Sequence, residues 1–205
     1  MSDSYSREPV FLKHFDLHVP DRRIYFRIGY KSPKQEIPDN IKNLVQELRR
    51  VQRQLVQPRA VYRILDYRET NQHSIFAGSE KTALCLCTIG SKLEQQSQKW
   101  MQENEILKGF ILDSFGSEAA EVLAQQCDAV IVDIALKMNL WPSKRFSPGY
   151  GQWDISQQQY VFDVLPADEI GVRLSDAHMM IPRKSVSFRI NFYADRSQTT
   201  RKFKE

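Results

Sequence analysis

The chain has 205 residues, of which 41% are hydrophobic and 26% charged, and 29 basic against 25 acidic side chains leave a formal net charge of +4. This length suits one domain with a small appendage, and its apolar content suffices for a core without disulfides or metals. No apolar run approaches the roughly 18 residues of a membrane span, and the acid-containing N-terminus lacks signal-peptide character. We therefore expect a cytoplasmic protein that does not bind a membrane.

The three cysteines are predicted to be buried free thiols. Cys85 and Cys87 stand two residues apart in an apolar stretch, which places both on one face of a strand, and Cys127 lies in a helical pattern. A zinc site would need further Cys or His pairs at ligand spacing, and the isolated pair His14 and His18 is too weak a signal. No metal is predicted.

The positive charge is too mild to predict nucleic-acid binding. Much of the excess sits at Arg49, Arg50, Arg53 and Arg59 and in the last ten residues. We interpret these residues as the solvated face of a helix and an unanchored terminus. No nucleic-acid-binding motif accompanies them, so no such partner is expected.

In chain order, the first elements are helices. Residues 1–12 are polar and expected to be disordered, after which Asp21 is placed to cap a short helix over residues 22–28 that Gly29 ends. Residues 40–56 carry apolar side chains three and four apart, which is typical of an amphipathic helix.

Strand signals follow. Residues 60–65 and 82–89 are rich in strand-forming side chains, and residues 74–76 are expected to pair with the first of these stretches. Ser91 is placed to cap a helix that runs to about residue 105.

The longest helical pattern covers residues 105–139, in which Gly109 and Gly116 are candidate breaks. After an irregular loop, Ser156 and Gln159 form a capping box that opens a helix through Leu165.

Late strands complete the pattern. They are predicted over residues 170–174 and 185–192. Helices that alternate with strands before a late run of strands indicate an α+β fold, with an antiparallel sheet flanked by helices and an N-terminal helical appendage. We divide the chain into an N-terminal arm, partly disordered, over residues 1–19, a domain over residues 20–194, and a charged flexible tail over residues 195–205 that does not contribute to the core.

The loop over residues 141–154 is the most unusual segment. It reads Trp-Pro-Ser-Lys-Arg-Phe-Ser-Pro-Gly-Tyr-Gly-Gln-Trp-Asp, in which two prolines and two glycines exclude a regular helix. Long loops of this kind in compact domains are often functional. Arg145 offers a planar fork of donors for a carboxylate, and the face of Tyr150 suits a cationic group.

Three segments in order resemble one known family. R-F-S-P-G-Y-G starts at Arg145, I-G-V-R-L at Ile170, and P-R-K-S-V-S at Pro182. Together they resemble the activation domain of cobalamin-dependent methionine synthase, and more closely its stand-alone relatives, with looser similarity over residues 20–193. The resemblance implies binding of S-adenosylmethionine by Arg145 and by a group of loop residues comprising Ser147, Gly149 and Tyr150.

The resemblance also implies partners. The domain would dock on a corrinoid-dependent methyltransferase, such as a methionine synthase core without its own activation domain, which carries the cobalamin. An electron donor such as flavodoxin or ferredoxin would reduce the oxidised cobalt, and the methyl group of S-adenosylmethionine would trap it. The chain would thus be an accessory component to which no catalytic residue is assigned. Residues that would face the partner or the corrinoid are Trp153, Lys184 and Ser185, although Lys184 and Ser185 would equally suit a structural turn.

Two departures keep an alternative open. The family's second tyrosine near the ligand is replaced by Ile190, and no motif places the acid that would pair with the ligand's ammonium, for which Asp16, Asp21 and Asp66 are candidates. Glu118 is expected to be solvated or to face the cleft. The alternative is a module that caps a corrinoid protein without binding S-adenosylmethionine.

Overall fold

The computed structural model describes residues 8–32, 34–70, 76–151 and 153–203. Within these ranges the helices are α1 (Asp21–Arg27), α2 (Asp39–Leu55), α3 (Tyr67–Thr70), α4 (Lys92–Gln102), α5 (Ile106–Lys137) and α6 (Gln158–Val164). The strands are β1 (Val10–Leu12), β2 (Arg59–Asp66), β3 (Lys81–Thr88), β4 (Trp141–Pro142), β5 (Arg173–Leu174), β6 (Met180–Ile181) and β7 (Ser185–Tyr193). No described helix is long and apolar enough to cross a membrane.

One antiparallel sheet organises the chain. Its strand order is β1-β2-β3-β7-β4, and β5 pairs with β6 in a separate two-stranded sheet. The register of the central strands places Tyr62 opposite Cys85, and Cys85 opposite Phe188. The predicted α+β fold, with helices against an antiparallel sheet, is therefore confirmed, and the main predicted helices and strands agree with the structure to within a few residues.

The larger hydrophobic core lies between this sheet and the helices α2 and α5. Cys85, Cys87 and Phe188 from the strands pack there with Leu123 and Cys127 from α5, and all five are fully buried. The three cysteines are free thiols, as predicted. Burial, reinforced by the neighbouring Cys127, raises the pKa of the Cys85 thiol well above its usual value.

Helix α5 is continuous, as its pattern predicted, and the two glycines that were candidate breaks are contact points. A Cβ at Gly116 would lie 2.5 Å from Leu93 Cδ2, and a Cβ at Gly109 would lie 2.8 Å from the backbone oxygen of Ser97. The Ser97 hydroxyl also donates to the Gly109 carbonyl at 2.8 Å. The glycines therefore let α4 approach α5 closely, because a helix interior tolerates glycine when packing needs the space.

The N-terminal arm is more ordered than its polar sequence suggested. Val10–Leu12 form β1 and pair with β2, which corrects the expectation of disorder for these three residues, while residues 1–7 lie outside the described part of the chain. Arg49 is also buried rather than solvated. It donates to the Val19 carbonyl at 2.7 Å, pairs with Asp21, and lies 5.3 Å from the centre of the Phe115 ring.

The described part of the charged tail, residues 195–203, contacts the rest of the chain, although its sequence predicted a flexible segment. Arg201 binds Asp128 of α5 through two hydrogen bonds, at 3.0 and 2.5 Å. Phe203 packs edge-on against Trp141, with ring centres 5.3 Å apart. The tail has no aliphatic residue, so its contacts depend on charge and on aromatic rings, which a search for apolar periodicity overlooks.

A second, smaller core lies on the other face of the sheet. Val61, Phe76 and Leu84 pack there against Trp153 and Val161. Residues 74 and 75 of the strand expected to pair with β2 lie outside the described residues.

Other boundaries on this side of the sheet shift by a few residues. Asp154 rather than Ser156 caps the turn before α6, because its carboxylate accepts from the Ser156 amide at 2.8 Å. The strand expected over residues 170–174 is shorter, since a 3-10 helix occupies Ala167–Ile170.

Candidate functional site

The described residues of the loop over 143–153, which are 143–151 and 153, form a turn closed by backbone hydrogen bonds. The Gly149 amide donates to the Trp153 carbonyl at 2.7 Å, and the Trp153 amide donates to the Tyr150 carbonyl at 3.1 Å. Gly149 has φ of +87°, a conformation that favours glycine. At its start the loop is joined to β7 by two backbone hydrogen bonds between Phe146 and Arg189.

A cavity of about 610 Å³ opens between this loop, β7 and α5. This volume falls within the roughly 300–1,000 Å³ of small-molecule sites. Its lining draws on two of the three segments that carry the family resemblance, and comprises Glu121, Arg145, Phe146, Ser147, Pro148, Tyr150, Ile155, Gln158, Met179, Met180, Arg183, Ser185, Val186 and Ser187. The tertiary structure therefore brings the R-F-S-P-G-Y-G and P-R-K-S-V-S segments together around one space, whereas Val172, Arg173 and Leu174 of the I-G-V-R-L segment line a different cavity.

Arg145 lies in this cavity with only part of its guanidinium satisfied. Its Nη2 pairs with the Glu121 carboxylate, and its guanidinium carbon lies 5.9 Å from the centre of the Phe188 ring. Its Nη1 is buried and has no hydrogen-bond partner among the described residues. A buried charged donor without an acceptor is costly, so this nitrogen is suited to an acceptor other than those that the described residues supply.

The other three predicted ligand-binding residues have different positions. Ser147 and Tyr150 line the cavity, and the Tyr150 side chain is 69% exposed. Gly149 does not line the cavity but shapes the turn between them. Ile190, at the expected position of the second tyrosine, is buried in the larger core and does not reach the cavity.

Two of the three residues expected to face a partner are structural. Trp153 is 1% exposed and packs in the smaller core. The Lys184 ammonium lies 2.8 Å from an Asp113 carboxylate oxygen and donates to the Ser117 hydroxyl, which holds the β6–β7 turn against α5. Ser185 does line the cavity, and its hydroxyl donates to the Pro182 carbonyl at 2.7 Å.

None of the acids proposed as the ammonium partner lines this cavity. Asp21 pairs with Arg49 and Asp66 with Lys81. Glu118 is buried and receives hydrogen bonds from Arg23 and Arg27 of α1, at 3.2 and 2.5 Å, so it fastens α1 to α5.

Glu121 is the acidic residue in the lining of this cavity, and it was not among the site residues predicted from the sequence. It is the sole charged residue between Glu118 and Asp128 in an otherwise apolar and amide-bearing stretch of α5. This isolated charge was the feature of the sequence that could have identified Glu121, because a charge among core-forming residues needs a partner or a function. Its carboxylate holds Arg145 and also accepts from the Gln125 side chain at 3.0 Å.

The outer edge of β7 forms part of the cavity wall. β4 pairs only with Tyr193 and Phe192, and Phe146 bridges only to Arg189. Among the described residues, no strand pairs with this edge between Ser185 and Phe188. Backbone groups along that edge are therefore available to a ligand, since an edge strand presents unpaired N–H and C=O groups.

A larger cavity, of about 880 Å³, lies elsewhere, between β1 and α6. Acidic side chains at its wall include Asp163, Asp168 and Glu169, and none of the predicted ligand-binding residues reaches it. We assign the candidate site to the smaller cavity because Arg145 and Glu121 converge there.

Comparisons of the sequence with models of known families and with curated proteins give no match. Among solved structures, the chain resembles the crystal structure of the MetH reactivation domain bound to AdoHcy. The TM-score is 0.67 at 12% sequence identity, and the match covers 98% of this chain and 81% of that chain. The chain therefore has the reactivation-domain fold, which confirms at the level of the fold the resemblance drawn from its motifs.

Proposed function

We propose that this chain binds S-adenosylmethionine in the 610 Å³ cavity and serves as the reactivation partner of a corrinoid-dependent methyltransferase. The observation that carries the proposal is the half-satisfied guanidinium of Arg145, whose buried Nη1 faces no acceptor. The fold shared with the MetH reactivation domain, a structure with AdoHcy bound, supports the same ligand class.

The residues at the cavity fit the polar end of such a ligand. Arg145 would hold its carboxylate through Nη1, and Glu121, whose carboxylate lies against the same guanidinium, would accept from its ammonium. The carboxylate and the ammonium of the ligand would thus each face a side chain of opposite charge. Neither Asp16, Asp21 nor Asp66 is needed for this role.

The other end of the ligand would meet less polar surroundings. Tyr150 offers an aromatic face for a sulfonium, and the unpaired edge of β7 offers backbone groups for the edge of a base. When bound, S-adenosylmethionine would supply the methyl group that is transferred to the reduced cobalt of the partner's cobalamin. The chain's own contribution is to orient this ligand and to expose it at a docking surface.

The rim of the cavity supports a role in docking. Phe146, Tyr150, Ile155 and Met179 are large hydrophobic side chains, and all four are exposed there. Exposed apolar side chains grouped around a cavity are typical of an interaction surface. We therefore propose that the corrinoid protein docks at this rim. From the resemblance we also propose a domain over residues 20–194 and an electron donor such as flavodoxin or ferredoxin.

The proposal is tested by adding the purified chain to an oxidised corrinoid methyltransferase that lacks an activation domain. We expect activity to return only when both S-adenosylmethionine and a reductant are present. Equal reactivation by reductant alone would contradict the proposal. Calorimetric titration of the chain with AdoHcy measures binding separately from this reaction.

A second candidate is a capping module that does not bind S-adenosylmethionine. It is favoured by Ile190 in place of the second tyrosine and by Glu121, whose carboxylate already occupies one side of Arg145. This candidate predicts that the chain binds the corrinoid protein while titration with AdoHcy gives no heat.

A further inference from the structure

Arg189 is a cation in the middle of the sheet, on the central part of β7. Alternation along this strand puts Phe188 and Ile190 on the face toward α5 and Arg189 on the opposite face. There its guanidinium carbon lies 5.3 Å from the ring centre of Phe146, 5.4 Å from that of Trp153, and 5.7 Å from that of Phe76. The guanidinium is thus surrounded by three aromatic rings.

The charge of Arg189 has no carboxylate beside it. Among the described residues it forms no ion pair, and its buried Nε has no hydrogen-bond partner. Burial lowers the pKa of the guanidinium, as expected for a cation partly removed from water. Its contacts with the aromatic rings are therefore its main stabilising interactions, through the attraction of a cation to ring faces.

Two of these rings belong to the loop over residues 143–153, one near each end. Phe146 contacts Arg189 through its ring and also exchanges backbone hydrogen bonds of 3.0 and 2.8 Å with it. Trp153 ends the loop and accepts the hydrogen bond from Gly149. Arg189 therefore fastens both ends of the segment that carries Arg145, Ser147 and Tyr150.

Arg189 does not line the cavity, but its contacts with Phe146 fix the direction of the neighbouring Arg145 side chain. Successive side chains of an extended segment point to opposite sides. With Phe146 turned toward Arg189, Arg145 is turned toward Phe188 and Glu121 on the other face of the sheet. The orientation of the Arg145 guanidinium thus follows from the contact between Phe146 and Arg189.

We propose that Arg189 is a positioning residue for the cavity, which holds Phe146 and Trp153 so that Arg145 is presented to the carboxylate of the ligand. This inference rests on the proposed function for the identity of the ligand. Its role is to pre-organise the loop, and pre-organisation increases affinity by reducing the ordering that binding requires.

A double-mutant cycle with AdoHcy as the probe tests this role. We expect Arg189→Met, which keeps the apolar stem, to weaken binding by about tenfold or more. In an Arg145→Ala background the same change should weaken binding less than about twofold, because a residue that acts through Arg145 has little left to act on. Equal losses in both backgrounds would overturn the proposal.

The control is Arg196→Met, which removes a comparable contact far from the cavity. The Arg196 guanidinium carbon lies 5.3 Å from the ring centre of Trp141. We expect this variant to bind AdoHcy as the unchanged protein does. Arg189→Lys keeps the charge without the planar group and should give an intermediate affinity. This substitution provides a second variant if Arg189→Met does not fold.

Amide hydrogen exchange in the absence of ligand separates this inference from the proposed function. If the unchanged chain does not bind AdoHcy, the proposed ligand is wrong, and exchange still measures the loop. We expect Arg189→Met to accelerate exchange at the amides of Phe146, Gly149 and Trp153 by about tenfold or more, and Arg196→Met to leave it unchanged. Unchanged exchange in Arg189→Met would overturn the positioning role.

Discussion

Two arginines bind carboxylates on the same face of α5, about two helical turns apart, and they do so differently. Arg201 from the tail uses both terminal nitrogens on Asp128 and donates from Nε to the Ser143 carbonyl at 2.9 Å. Arg145 from the loop uses Nη2 on Glu121, while its Nη1 is buried without a partner. Among the described residues, the terminal nitrogens of Arg201 both have hydrogen-bond partners, whereas Nη1 of Arg145 has none.

The difference indicates which arginine stabilises the fold and which is suited to a ligand. A bidentate pair that excludes water orders both partners and contributes to stability. A buried donor without an acceptor costs about 1–3 kcal/mol, and a ligand that supplies the acceptor recovers this energy on binding. We therefore assign Arg201 to the scaffold and propose Arg145 as a residue of the ligand site.

The largest expected effect is on ligand affinity when Arg145 is removed. Arg145→Ala should cost about 2–5 kcal/mol of binding to AdoHcy, or roughly 30-fold to a few thousand-fold in Kd, because it leaves the ligand's carboxylate without a partner. Arg145→Lys should recover only part of this loss, since an ammonium does not reproduce a planar fork. Calorimetric titration measures both variants.

Thermal unfolding of the same variants provides the control. The melting temperature of Arg145→Ala should barely change, because its guanidinium is only partly satisfied in the folded chain. Normal affinity together with a lowered melting temperature would contradict the site assignment and would make Arg145 equivalent to Arg201.

For Arg201 we expect the opposite pattern, a lowered melting temperature with unchanged AdoHcy affinity. Arg201→Ala removes hydrogen bonds between charged groups, each worth about 1.5–3 kcal/mol when largely buried. In a chain of this size each kcal/mol lowers the melting temperature by about 2–4 °C. Deletion of residues 196–205 should have at least the same effect, since it also removes Phe203 from Trp141.

Lys202→Ala is the matched control for the tail, because this neighbouring cation is exposed and should leave the melting temperature unchanged. AdoHcy affinity should stay the same in all three tail variants. An unchanged melting temperature in Arg201→Ala would show that the docked tail contributes nothing to stability.

The smallest effect is expected at Glu121. Glu121→Gln keeps the shape of the side chain but removes the charge that would face the ligand's ammonium. We expect AdoHcy affinity to fall roughly tenfold, or about 1.4 kcal/mol, with little change in melting temperature. Asp128→Asn, two turns along the same helix, should instead lower the melting temperature and preserve affinity. A loss of affinity in this variant would contradict the distinction between the Glu121 and Asp128 ion pairs.

Local signals in the sequence were enough to predict most elements. The three-and-four spacing of apolar residues over residues 40–56 predicted α2, and the apolar runs predicted β2, β3 and β7. These predictions were confirmed because the periodicity that indicates a helix or a strand is visible within a few consecutive residues. The R-F-S-P-G-Y-G segment and its two companions indicated the same fold that the solved reactivation domain has.

Contacts between distant residues required the tertiary structure. Arg145 and Glu121 are 24 residues apart, and Arg201 and Asp128 are 73 apart, so no local pattern relates either pair. They meet because α5 continues unbroken past Gly116 and presents both acids on one face to the loop and to the tail. The residue types that suit a carboxylate were visible in the sequence, but packing alone decided that Arg145 keeps a free donor and Arg201 does not.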